Sequence, residues 1–145
     1  MRRRDFLAAA GLFLSSIPGT SSVLQAAWRE NAFAADTIDK ALKNTLGTDN
    51  LVATDKIAIV APPVASDSSS VDVEIISGIS CEALYLFVAN NFTPLAFMCT
   101  LSGKALPNFS ARIKMKESSD LVAVVRQGQS YYKATAHVDV TAQAC

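Results

Sequence analysis

The chain has 145 residues, half of them hydrophobic and 18% charged, with a formal net charge of zero. That length holds one domain with one core, and the balance excludes a disordered chain. With no basic stripe there is no electrostatic footprint for nucleic acid.

The first segment reads as an export signal. Arg2, Arg3 and Arg4 form a positive start, and Arg3-Arg4-Asp5-Phe6-Leu7 fits a twin-arginine pattern. The apolar run from Leu7 to Ile17 is closed by Pro18-Gly19. At about 11 residues it is too short to cross a hydrocarbon layer of roughly 30 Å as a helix. It fits a signal-peptide core, with an uncleaved basic anchor as the alternative. Stable membrane insertion is not expected. Two cleavage sites offer themselves, after Ala27 or after Ala34. Trp28, Phe33, Ile38 and Leu42 share an approximate helical face, which a discarded segment has no need of, so cleavage near Ala27 is favoured. Residues 1–27 are therefore assigned to a twin-arginine-type signal peptide and residues 28–50 to an N-terminal helical segment. The helix is expected from Trp28 to Leu46, ended at Gly47. Twin-arginine export implies a protein that travels folded, into the periplasm.

Residues 51–141 read as strands. Ile57 and Ile59 alternate up to Pro62-Pro63, as in an edge strand stopped by proline. Val71, Val73 and Ile75 alternate with Asp72 and Glu74, one face buried and one wet. Leu84 to Val88 is almost wholly apolar, and Asn90-Asn91-Phe92-Thr93-Pro94 is a turn cluster. Leu95, Phe97, Cys99 and Leu101 follow at period two. Ala111, Ile113 and Met115 face one way; Arg112, Lys114 and Lys116 face the other. Leu121 to Val125 is a further apolar strand, Gln127-Gly128-Gln129 a turn, and Tyr132 to Val140 a long final strand. The expected fold is all-β, an immunoglobulin-like β-sandwich of about seven strands with a short N-terminal helix.

Catalytic groups are sparse. The lone histidine, His137, lies on the polar parity of the last strand without co-ligands at metal-binding spacing, so it reads as solvated. No C-x-x-C, P-loop or dinucleotide fingerprint occurs. Asp67-Ser68-Ser69-Ser70 lacks the glycines of a nucleophile elbow. No metal, cofactor or enzymatic activity is expected. Arg112, Lys114 and Lys116 are either a plain solvated face or an anion-steering patch.

The three cysteines say more. An odd number in an oxidising compartment leaves one thiol over, or makes a bond to another chain. If the hairpin about Asn90 is centred near residue 90, Cys81 and Cys99 are cross-strand neighbours. They then either close a disulfide or sit as two small buried residues. Cys145 is the last residue, beyond the final strand on Ala142-Gln143-Ala144, where a side chain packs little and is open to conjugation.

Several stretches together carry a family resemblance. They are Asp55-Lys56-Ile57-Ala58-Ile59-Val60-Ala61-Pro62, Val71-Asp72-Val73-Glu74-Ile75 and Leu86-Phe87-Val88-Ala89-Asn90-Asn91 leading to Pro94-Leu95. Ala111-Arg112-Ile113-Lys114-Met115 and Val138-Asp139-Val140-Thr141, then Cys145, complete the set. In this order the chain resembles the SoxY family of sulfur carriers from the bacterial Sox thiosulfate-oxidation system. The resemblance implies a periplasmic heterodimer with a SoxZ-like subunit. It implies a covalent carrier cysteine on a C-terminal arm, here Cys145 on residues 142–145. It also implies loading by a SoxAX-type haem enzyme, and unloading by a sulfate-releasing hydrolase and, in many systems, a sulfane dehydrogenase. The family's usual arm reads Gly-Gly-Cys-Gly-Gly. Here Gln143-Ala144 precedes Cys145 and nothing follows it, which makes a shorter arm with less backbone freedom. A non-covalent binding or assembly module is the alternative function.

Overall fold

A computed structural model describes residues 30–141. The expected signal segment, Trp28 and the expected arm with Cys145 lie outside them.

Two short helices come first, α1 (Glu30–Phe33) and α2 (Ile38–Leu46). The single helix expected from Trp28 to Leu46 is thus broken. Thr37 stands extended at the start of α2, with φ −131° and ψ 152°, while its carbonyl takes the Ala41 amide at 2.9 Å. Threonine suits such a helix start better than a helix interior. Asp36 and Lys40 pair across the junction at 2.9 Å. Gly47 ends α2 in the left-handed region at φ 73°, donating its amide to Lys43 O. A residue with a Cβ is disfavoured there.

Nine strands follow: β1 (Val52–Ala53), β2 (Ile57–Val60), β3 (Val64–Ala65), β4 (Val71–Ser77), β5 (Ala83–Val88), β6 (Leu95–Thr100), β7 (Asn108–Ile113), β8 (Ser119–Gln127) and β9 (Ser130–Val140). They make two sheets, a large one in the order β1-β9-β8-β5-β6 with β3 also on β9, and a small one in the order β2-β4-β7. Seven strands are those expected from the sequence. The other two, β1 and β3, are two-residue pieces that pair with β9 in parallel, at Tyr132–Lys133 and Asp139–Val140. Two residues carry no readable periodicity. Between these pieces the chain leaves the large sheet, runs as β2 along the small one, and returns at Pro62-Pro63. Pro63 cannot donate to a ladder, but its carbonyl accepts the Asp139 amide at 3.0 Å.

The core explains the strand patterns. Leu84, Leu86, Val88, Leu121, Ala123 and Val125 of the large sheet meet Val71, Val73 and Ile75 of the small one. On the other face of the large sheet Tyr85, Phe87, Val122 and Val124 pack beneath Ala32, Ala35, Ala41 and Leu46 of the helical segment. β5 is covered on both faces, and every one of its residues is buried. A strand clad on both sides has no wet face to alternate with, so it reads as an unbroken apolar run. β4 keeps its alternation because Asp72, Glu74 and Ile76 lie on the outer face of the small sheet. No helix among the described residues is long and apolar enough to cross a membrane.

Candidate functional site

One end of the sandwich gathers the features of interest. The loop 66–70 between β3 and β4, the turn 89–94 between β5 and β6, the segment 114–118 between β7 and β8, and the end of β9 all lie there. Strand registers fix this placement: Val71 pairs with Ile113, Val88 with Leu121, and Ala65 with Val140.

The chain leaves β9 at a well-held point. Val140 N donates to Ser118 Oγ at 2.8 Å, and Thr141 N donates to Ala65 O at 3.1 Å. Ser118 also joins this point to the β5–β6 turn, since its carbonyl accepts Asn90 Nδ2 at 2.8 Å. The next residue, Asn91, brackets the lysines. Its Nδ2 donates to Lys114 O and its Oδ1 accepts the Lys116 amide, both at 2.8 Å. Met115 N donates to Ser68 O at 2.8 Å. Residues 114–116 are therefore fixed although β7 ends at Ile113, two residues earlier than the expected alternation to Met115. Lys116 Nζ lies 4.5 Å over the Phe92 ring and 3.9 Å from Glu117 Oε1. Phe92 is 78% exposed, so its ring is a presented surface and not part of the core. Together these residues wall an open cavity of about 490 Å³ with Ser68, Ser69 and Thr93.

The proposed cationic patch divides in two. Arg112 is bound by Asp72, Nε to Oδ1 at 2.9 Å, which raises its already high pKa through the hydrogen bond and the charge. Its positive charge is offset by a neighbour, and it lines a separate groove on the small sheet. Lys114 faces the cavity with Lys116 and makes no ion pair among the described residues.

Cys81 and Cys99 lie at the opposite end, half-buried, and both are free thiols. The expected hairpin register is corrected here. Cys99 stands opposite Leu84, and Cys81 lies outside β5 altogether. The pairing is offset because the turn sits later than residue 90, with a shift between Leu86 and Phe87. Both thiols nevertheless pack against the inter-sheet core. Burial raises the pKa of Cys81, and the nearby Cys99 raises it further. Burial also raises that of Cys99, partly opposed by a hydrogen bond at Leu84. Both therefore hold little thiolate, the reactive form, at neutral pH.

His137 is exposed, as its strand parity implies, but it has company. Its Nδ1 is 2.6 Å from Asp120 Oδ1 and its Nε2 is 3.4 Å from Asp139 Oδ1. The hydrogen bond to Asp120 raises its pKa, opposed by desolvation and reinforced by both carboxylate charges and the contact with Asp139. Among the described residues no cluster of His, Cys, Asp and Glu could hold a metal ion.

A family model described as the sulfur oxidation protein SoxY matches residues 42–145, most of the chain and all of its sandwich. The chain belongs to the SoxY family. The solved structure of the sulfur carrier protein SoxY from Chlorobium limicola f thiosulfatophilum is 27% identical to it. That alignment covers 73% of this chain and 97% of the other, with a TM-score of 0.67. An engineered protein aligns over 59% of this chain and 20% of its own at 12% identity and a TM-score of 0.41, too low to bear on fold or function. Among curated proteins none matches the chain. The SoxY match accounts for the sandwich and runs to the last residue, so it includes Cys145. The end-of-sandwich residues Asn91, Phe92 and Ser118 were not singled out as site residues from the sequence. The Asn90–Pro94 turn cluster was the only signal for the first two, and nothing marked Ser118.

Proposed function

We propose that this SoxY-family chain is a non-enzymatic sulfur carrier of the periplasm, exported by the twin-arginine route and cut near Ala27. In this reading Cys145 holds thiosulfate-derived groups covalently. The observation that carries it is the family match, which runs through residue 145 and so takes in Cys145.

Loading forms one sulfur–sulfur bond. The Cys145 thiolate joins the outer sulfur of thiosulfate to give an S-thiosulfonate, and two electrons pass to a SoxAX-type haem enzyme. A hydrolase then adds water to the terminal sulfonate, releasing sulfate and two protons and leaving a persulfide on Cys145. The carrier contributes the thiol and its presentation, and the partners supply the redox and hydrolytic groups. A SoxZ-like subunit completes the working unit.

Complementation tests the reading. A strain lacking the chain and supplied with Cys145→Ser should fail to oxidise thiosulfate. Full restoration by Cys145→Ser would instead establish a non-covalent assembly module.

A further inference from the structure

We infer that the cavity walled by Phe92, Thr93, Lys114 and Lys116 is an anion site that receives the terminal sulfonate of the group carried on Cys145. This rests on the carrier reading and adds a resting place for the cargo on the carrier itself.

Three observations meet at this cavity. The first is charge. Two lysines line one space of about 490 Å³, and Lys114 makes no ion pair among the described residues. Acidic neighbours are few. Glu117 is 3.9 Å from Lys116. Asp67 Oδ1 is taken up by the amide and hydroxyl of Ser69, at 2.8 and 2.6 Å.

The second is construction. A merely solvated pair of lysines needs no scaffold. Here the backbone that bears them is fixed by Asn91 on two sides and by Ser68 O from a third segment, outside any strand. Lys116 is drawn over Phe92, whose ring stands exposed where an apolar sulfur chain could lie. An S-thiosulfonate has that shape, with soft apolar sulfurs ending in a hard head of three oxygens that share one negative charge.

The third is reach. Val140 N bonds Ser118 Oγ, and Ser118 is two residues from Lys116. Two residues span at most about 7 Å, while the four residues after Thr141 span up to about 14 Å. Cys145 can therefore deliver its load to the lysines of its own chain. Partner enzymes would compete with the cavity for a bound sulfonate.

The test uses the mature chain, loaded in vitro with tetrathionate. The thiolate attacks a central sulfur of that reagent, forms the S-thiosulfonate and releases thiosulfate, so no enzyme is needed. Intact mass reports loading, with Cys145→Ser giving the background from Cys81 and Cys99. Amide NMR signals of Phe92 and of residues 114–116 should shift on loading. They should stay unmoved in Lys114→Gln/Lys116→Gln, which should load to the same extent. Loaded protein with unmoved amides, or equal shifts in the double variant, would overturn this inference alone. A Cys145 thiol that refuses loading would contradict the carrier reading and this inference with it. A free-ion source is separated by titrating Cys145→Ser with sodium thiosulfate. An arm-borne ligand enjoys an effective concentration on the order of millimolar, so free thiosulfate should reach the same shifts only in that range. Saturation at micromolar thiosulfate would make the cavity a site for the free ion and overturn its assignment to the arm.

Discussion

The hydroxyl of Ser118 accepts the amide of Val140 at 2.8 Å, tying the last residue of the final strand to the loop that carries the lysines. The same residue accepts Asn90 Nδ2 on its carbonyl, so the base of the arm and the lysine cavity share one support. Replacing it with Ser118→Ala leaves the Val140 amide without its acceptor. The expected loss is about 1 kcal/mol of stability, by the usual worth of one such bond. Chemical denaturation should show it, and hydrogen exchange at the Val140 amide should quicken more than at amides of β5. An unchanged Val140 exchange rate would mean that this bond does not hold the end of β9.

Phe87 is fully buried between the large sheet and the helices, whereas Val60 is 53% exposed on the edge strand β2. Phe87→Ala opens a cavity under α2 and should destabilise by about 3–5 kcal/mol. Val60→Ala should change stability by no more than about 0.5 kcal/mol. Denaturation midpoints of the two variants check both. A small effect at Phe87 would mean that the helical layer is not firmly seated on the sheet.

His137 couples folding to pH. Its folded pKa is raised above the ordinary 6.5, first by the hydrogen bond to Asp120. A raised folded pKa means that the charged ring is stabilised in the native state. That contribution is fully present below 6.5 and fades as pH rises through the higher folded value. Because the ring is exposed and solvent screens its partners, the effect on stability is small. As the chain has a single histidine, one NMR titration reads its pKa directly. Asp120→Asn should bring that value back toward 6.5, and a wild-type value at or below 6.5 would contradict the arrangement.

Much of this was legible in the sequence, and the misses have physical causes. Val71–Ile75 showed its wet and dry faces because one side of the small sheet meets solvent. Leu84–Val88 showed a buried run because both its faces are covered. What covers the second face was not legible, since an apolar run does not say which element lies on it. The break at Thr37 was hidden by the apolar face shared by Phe33, Ile38 and Leu42, all of which do pack on the second core. The Cys81–Cys99 alignment failed because a turn's centre fixes register to the residue: with the hairpin centred between residues 91 and 92 instead of at 90, the partner of Cys99 moves three residues, from Cys81 to Leu84. For the site, the lysines were visible as alternating charges. Their division was not: Asp72 lies 40 positions from Arg112, and Asn91 lies more than 20 from the lysines it brackets.

The most direct test of the carrier role is the intact mass of the protein recovered from cells oxidising thiosulfate, with the modified residue located by fragmentation. The account predicts a sulfonate, thiosulfonate or persulfide on Cys145, absent from Cys145→Ser, with Cys81 and Cys99 unmodified. Recovery of the chain with Cys145 unmodified under those conditions, or with sulfur borne instead on Cys81 or Cys99, would contradict it.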